Sequence, residues 1–320
     1  MKKIALEEHC MIPGMEAYWE LTVDNMNTET RDRILLGLSD FDGARLEAMD
    51  RAGIERSVLS LAGPGVQAEH DTATACRKAC AANEWLARRI DGHKGRFSAF
   101  AHLPLQDPAA AADELERCVK ELGFCGALVN GHSNGRYLDD CRFDPLWERA
   151  QHLGAPIYLH PADPSAAYAS IAGFAALKRA MWEWGVETGT HALRIVLSGV
   201  FDRFPGVALI LGHMGEMLPY LLWRFDSRAQ LYGLQLQMRP SEYIRKHIRV
   251  TTSGMFSLEP LRCAMDALGE ENVMFSVDYP FESADEAARF IEEAPMEDAS
   301  RAAVCWGNAA RVLHLGASVR

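Results

Sequence analysis

The sequence predicts an α/β chain folded as one (β/α)8 TIM barrel, and three observations carry that prediction. Short β-rich apolar runs recur eight times, each followed by a polar loop and a stretch of helical periodicity. Such alternation favours a parallel sheet wrapped by helices. The 320 residues suit a fold that usually needs about 250 or more. No Gly/Ser- or Pro-rich linker, repeat or low-complexity tract divides them, so residues 1–320 read as a single domain.

In order, strands are expected at 4–9, 56–61, 97–103, 125–130, 156–160, 207–212, 248–252 and 273–277. Helices are expected at 44–52, 71–90, 108–122, 145–153, 182–199, 216–232, 258–268 and 284–293. Closure follows from the count of strands, and a doubly wound open sheet is the alternative. Residues 11–40, with Tyr18 and Trp19, form the longest stretch without a barrel role. They read equally as a lid over the barrel mouth or as a packed surface excursion.

An excess of 44 acidic over 33 basic residues gives a net charge of -11, with no Lys/Arg run, which argues against nucleic acid and anionic membrane as partners. An acidic surface also repels an anionic substrate unless the site is locally positive, and a metal ion would supply that charge. The eight cysteines fall in helical or buried-strand patterns and read as reduced thiols. Only three apolar residues separate Lys3 from Glu7, too few for a signal peptide, and no stretch approaches the ~20 apolar residues of a membrane span. A cytoplasmic protein is expected.

Catalytic groups of such barrels sit where strands end and loops begin. Here the first strand ends in Glu7-Glu8-His9, the fourth in Asn130, the fifth in His160, the sixth in Gly-His213-Met-Gly-Glu216 and the eighth in Ser-Val-Asp278. Alternation along a strand points Glu7 and His9 one way and Glu8 the other. A carboxylate and an imidazole entering a packed interior need partners or a cation. His160 and Asp278 complete a nitrogen and oxygen set that suits Zn2+ or Mn2+, with Mg2+ less suited. Any one strand-end histidine is more often structural than a ligand, but four such residues meeting at one mouth by chance is a rarer event. His70, His93, His132, His152, His247 and His314 read as loop or helix-surface residues, His191 as structural, and His102 as having no special neighbour. The Cys76-x3-Cys80 pair sits in a helical pattern without further ligands. No dinucleotide fingerprint, P-loop or nucleophile elbow is present, so no organic cofactor is expected.

Through Ala-Leu-Glu7-Glu8-His9, Leu-Pro-Leu-Gln106-Asp-Pro, Gly-Ala-Leu-Val-Asn130, Tyr-Leu-His160-Pro, Gly-His213-Met-Gly-Glu216, Thr-Thr-Ser253-Gly and Phe-Ser-Val-Asp278-Tyr-Pro-Phe-Glu282, the sequence resembles the amidohydrolase superfamily. Within it the chain resembles the metal-dependent nonoxidative decarboxylases of hydroxybenzoates. The match runs in order from residue 4 to about residue 315. Hydrolytic relatives usually begin with His-x-His, where this chain has Glu7-Glu8-His9. The resemblance implies a lyase with one divalent metal on Glu7, His9, His160 and Asp278, and a His213–Glu216 pair beside Asp278. It also implies an amidohydrolase-type barrel, a small aromatic acid as substrate, substrate contacts from Asn130 and Trp184, and a homotetramer or homodimer. Arg224 could steer the substrate carboxylate or pair with Asp226.

Decarboxylation without a cofactor needs a proton at the ring carbon bearing the carboxylate, and an ortho hydroxyl makes that carbon electron rich. Asp278, with His213 and Glu216 setting its protonation, is the expected donor. Two other readings stand beside this one: a mononuclear hydrolase of a lactone or amide, and a barrel that binds metal or ligand without turnover.

Overall fold

The computed structural model describes residues 1–24, 26–93 and 95–316. Its parallel strands follow the expected order: β1 (Lys3–Cys10), β2 (Ile54–Leu61), β3 (Phe97–Ala99), β4 (Ala127–Asn130), β5 (Ile157–His160), β6 (Leu209–Leu211), β7 (Ile248–Thr251) and β8 (Val273–Met274). Ladders run through β1-β2-β3 and through β4-β5-β6-β7-β8. Two parallel bridges join these ladders, Ala101 to Ala127 between β3 and β4, and Glu8 to Tyr279 between β8 and β1. The sheet therefore closes, which removes the open-sheet alternative. Ile4, Leu6, Val58, Phe100, Leu128, Tyr158, Ile210 and Met274 pack together as the barrel interior, with Ala309 and Leu313 from the C-terminal end packed against them.

The helices at Ala44–Ala52, Leu258–Leu268 and Ala284–Glu293 have the expected bounds. Local chemistry explains such limits. Gly53, at φ 66, ends the first of them in the left-handed conformation. Asp107 accepts from the backbone N–H groups of Ala109 and Ala110 to start Pro108–Lys120. The helix expected over 182–199 is Glu183–Leu197 followed by Val200–Arg203, broken at Gly199 with φ 77.

Among the described residues, 11–40 hold two α-helices, Glu16–Trp19 and Thr28–Ser39, with the 3-10 turn Glu20–Thr22 after the first. Met11, Ile12, Met15, Trp19, Val23, Ile34 and Leu38 are buried, so the segment is packed into the fold. Arg45 anchors it from below. This buried guanidinium donates to the carbonyls of His9 at 2.6 Å, Gly37 at 3.0 Å and Asp40 at 2.7 Å. The helix Pro240–His247 is also additional to the expected set.

The most consequential departure from regularity is in β1. Ala5 pairs with Ser57 and Glu8 with Leu59, so three steps of β1 face two of β2. That is a β-bulge. Ile4 and Leu6 belong to the barrel interior, and unbroken alternation would send Glu8 there next. The extra residue shifts the phase. Glu8 turns outward instead, where its carboxylate accepts from the Val277 N–H at 3.0 Å and the Ser276 hydroxyl at 3.2 Å. Ser276 Oγ in turn accepts from the N–H groups of Leu6 at 3.2 Å and Glu7 at 2.7 Å. Side chains thus replace ladder bonds along the β8–β1 seam, which is why β8 is shorter than its apolar run.

All eight cysteines are free. No helix among the described residues is long and apolar enough to cross a membrane. Two histidines differ from expectation. His247 is buried and stacked on Phe201 at 4.3 Å. His102 is buried too, and its Nε2 accepts from the Val66 N–H at 2.9 Å. Gly65 makes this approach feasible, because a Cβ there would lie 2.4 Å from His102 Nε2.

Burial pushes the His102 imidazole down from 6.5 to about 4. Between those values the unfolded chain binds a proton that the folded chain refuses, so stability is lost as pH falls from 6.5 toward 4. The loss at the acid end is about 3 kcal/mol. His102→Gln, which keeps an acceptor for Val66, is expected to flatten this slope in urea titrations at a series of pH values.

Candidate metal centre

Because of the bulge, Glu7 and His9 both project into the mouth of the barrel, where β5 delivers His160. Ligand atoms of these three residues lie within 4.8 Å of one another. Asp278 follows β8 in a turn at φ 80, its N–H donating to Glu7 O at 3.1 Å. Its Oδ1 stands 3.2 Å from His9 Nε2. Three of the expected ligands thus form one tight group, and Asp278 stands beside it through His9.

Their hydrogen bonds leave the same kind of atom over on each. His9 Nδ1 is 3.2 Å from Ser60 Oγ, and His160 Nδ1 is 2.9 Å from the Pro161 carbonyl, to which it can only donate. That donation leaves the His160 Nε2 lone pair toward Glu7 Oε1, 3.4 Å away. Glu7 Oε1, His9 Nε2 and Asp278 Oδ1 are buried without any hydrogen-bond partner. Leaving one such group unpaired costs about 1–3 kcal/mol, more when it is charged. One divalent cation would satisfy them together, and the mixed imidazole and carboxylate set fits such an ion. Burial, with the neighbouring His9, also lowers the His160 pKa well below the usual value, which keeps a neutral ligand nitrogen.

His213 and Glu216 sit in a loop of unusual backbone. His213, Met214, Gly215, Glu216 and Met217 all have positive φ, from 49 to 86, so the helix expected from residue 216 begins only at Leu218. His213 Nδ1 is bonded to Glu216 Oε1 at 2.7 Å, while its Nε2 faces Asp278 Oδ2 at 3.8 Å and Glu7 Oε1 at 3.9 Å. Burial opposes charge on His213, but Glu216 and Glu7 outweigh it and raise its pKa well above the ordinary value. Burial likewise opposes charge on Asp278, yet the neighbouring His213 and His9 imidazoles outweigh it and hold the carboxyl below its ordinary value. Both directions favour charge separation between the His213 imidazole and the Asp278 carboxylate.

Asn130 lies opposite His160 in the β4–β5 register. It is buried, and neither its Oδ1 nor its Nδ2 has a partner. Gly63 lets it stand there, since a Cβ at that position would lie 2.5 Å from Asn130 Oδ1. Trp184 is half-buried, its indole N–H donating at 2.7 Å to Asp163 in the loop after His160. Arg224 is not brought to the cluster. It is exposed on the helix Leu218–Tyr232, and Asp226 bonds Ser241 instead, at 2.7 and 2.9 Å.

Sequence reasoning passed over the hydroxyls beneath Glu7. Tyr158 and Ser253 both donate to Glu7 Oε2, and Thr251 Oγ1 lies 2.8 Å from the first and 2.9 Å from the second. One signal was available. Tyr158 stands two residues before His160, on the same face of β5.

The amidohydrolase family model matches residues 37–315. The chain belongs to the amidohydrolase family. This amidohydrolase is 41% identical over 331 aligned positions to a γ-resorcylate decarboxylase of Polaromonas sp., covering 98% of each chain. Among solved structures, a 2,6-dihydroxybenzoate decarboxylase complexed with 2,6-dihydroxybenzoate superposes with a TM-score of 0.92 at 37% identity, covering 98% of this chain and 100% of that one. A dihydroxybenzoic acid decarboxylase of Polaromonas sp. with bound manganese and the inhibitor 2-nitroresorcinol also gives 0.92, at 39% identity and coverages of 99% and 98%.

Gly212 is a tight point beneath Glu7, because a Cβ there would lie 2.6 Å from Glu7 Oε2 and 3.1 Å from Ser253 Oγ. Gly212→Ala is expected to cost about 1–3 kcal/mol of stability and to lower the metal retained after dialysis. Thermal melts and elemental analysis read the two effects.

Proposed function

We propose that this amidohydrolase is a lyase that removes CO2 nonoxidatively from an ortho-hydroxylated benzoate of the γ-resorcylate or dihydroxybenzoate type. The observation that carries the reading is the convergence of partnerless Glu7 Oε1, His9 Nε2 and Asp278 Oδ1 beside His160, in a chain similar throughout to hydroxybenzoate decarboxylases. Glu7, His9, His160 and Asp278 hold the divalent metal, and manganese is favoured over zinc by the two carboxylates and by the manganese-bound relative. When bound, that ion supplies positive charge for the substrate's carboxylate and ortho oxygen and fixes the ring.

The chain's own residues manage the proton. His213 carries it, and Glu216 Oε1, 2.7 Å from Nδ1, holds the imidazole in place. From Nε2 the proton passes to Asp278 Oδ2 and then to the ring carbon bearing the carboxylate. As that carbon takes the proton, the bond to the carboxylate breaks, its electron pair restores the aromatic ring, and CO2 leaves. Asn130 offers a donor and an acceptor to a ring substituent, and the Trp184 ring flanks the substrate. Hydrolysis of a lactone or amide is disfavoured by Glu7, which stands where hydrolytic relatives have the first histidine.

Tyr220, Trp223 and Leu231 are exposed along one stripe of Leu218–Tyr232, which supports self-association as a dimer or tetramer. Trp223→Glu is expected to lower the sedimenting mass; an unchanged mass would count against this face. Asp278→Asn is expected to lower turnover of 2,6-dihydroxybenzoate by about 10²–10⁴, measured as CO2 release with metal content checked in parallel. A near-normal rate would remove Asp278 as the donor.

A further inference from the structure

The two oxygens of Glu7 have unlike surroundings. Oε2 accepts from both the Tyr158 and the Ser253 hydroxyl, whereas Oε1 accepts from nothing. A carboxylate oxygen offers two lone-pair sites, so two hydroxyl protons use up Oε2. Supply of those protons is secured from behind. Thr251 Oγ1 lies within 2.9 Å of both hydroxyls, and once each has committed its proton to Glu7, Thr251 donates to one of them. Ser253 Oγ also accepts from the His213 N–H at 3.3 Å. All three hydroxyl residues, Tyr158, Thr251 and Ser253, are fully buried, and no water-filled route is needed to keep the chain of bonds intact.

Resting on the reading of Glu7 as a metal ligand, we propose that Tyr158 and Ser253 are positioning residues that saturate Oε2 and restrict Glu7 to a one-oxygen contact with the cation through Oε1. The restriction has a purpose in donor counting. Ions such as Mn2+ take about six donors, and one atom each from Glu7, His9, His160 and Asp278 leaves two positions. A benzoate carboxylate oxygen and its ortho oxygen need two. If Glu7 gripped with both oxygens, one of these would be lost. The hydroxyl pair therefore protects the place of the substrate from the enzyme's own ligand.

The test uses the full chain loaded with Mn2+, as wild type, Tyr158→Phe, Ser253→Ala and Thr251→Val, with Tyr243→Phe as a control. Tyr243 also donates from a buried hydroxyl to a carboxylate, that of Asp202, but outside the cluster. Electron paramagnetic resonance of bound Mn2+ without substrate reads the ligand sphere. Equilibrium binding of 2,6-dihydroxybenzoate reads the open positions. Tyr158→Phe and Ser253→Ala are expected to retain one Mn2+ but to change its spectrum and weaken benzoate binding about ten-fold or more. Thr251→Val should do the same more weakly, and Tyr243→Phe should do neither. Wild-type spectra and wild-type benzoate affinity in both hydroxyl variants would overturn the proposal, as would an equal change in the control. If Tyr158→Phe fails to fold, Ser253→Ala, which removes a single oxygen, carries the test. A wild-type chain that retains no Mn2+ overturns instead the underlying reading of Glu7 as a ligand.

Discussion

The extra residue in β1 is the constraint on which the active mouth depends. In a barrel strand each side chain is assigned to the interior or the helix layer by parity alone. Ile4 and Leu6 occupy interior places, so without the bulge the next interior residue would be Glu8, and Glu7 and His9 would be turned into the helix layer. The bulge carries a local cost, since Leu6 and Glu7 lose regular ladder partners. Ser276 Oγ offsets it by accepting from both N–H groups. The displaced Glu8 then becomes useful at the seam, accepting from Val277. Burial raises its pKa to about 8, against the lowering effect of the Val277 N–H and of Arg45.

Strain is concentrated in the loop that carries His213 and Glu216. Four non-glycine residues between His213 and Met217 adopt the left-handed conformation, each at about 1–2 kcal/mol. Such a run persists only if its surroundings over-determine it. The His213–Glu216 bond closes the loop on itself. Gly215 fits where a Cβ would lie 2.8 Å from Val250, and Gly189 where a Cβ would lie 3.0 Å from the Glu216 carbonyl. The outcome is an imidazole whose two nitrogens face carboxylates on opposite sides.

The barrel was legible because strands buried on both faces read as apolar runs, and because caps such as Asp107 and stops such as Gly53 mark helix ends locally. The four metal-binding candidates were legible as strand-end polar residues. Parity gave the right partners for Glu7 and His9 relative to Glu8, but not the bulge that makes that parity agree with Ile4 and Leu6, since no residue at 5–8 announces it. The left-handed loop was hidden for a similar reason: Met214, Glu216 and Met217 are ordinary helix formers, and tertiary packing overrules them. For Arg224, Leu-Trp-Arg-Phe-Asp specifies a helix but not which face meets solvent, and in the single chain the side chain is exposed. The helix Thr28–Ser39 was missed because only Ile34 and Leu38 of it are buried, too few to declare a period.

The helix Glu183–Leu197 links chemistry to specificity. On one side, at spacing i, i+4, i+8, it presents Glu183, Glu187 and His191. Glu183 accepts from the Arg179 N–H, Glu187 from the Tyr137 and Tyr168 hydroxyls, and His191 from the Leu138 N–H. These contacts hold the loops that follow β4 and β5. Gly185 and Gly189 lie about half a turn away at 100° per residue, and both meet Glu216. One helix is therefore clamped between the loops that follow β4 and β5 and the loop that carries His213 and Glu216. On the proposed reading, strand ends set the type of reaction, while the loops vary with the ring substituents they meet. That freedom is bounded, because any loop change that tilts this helix also displaces Glu216, and with it the imidazole that faces Asp278.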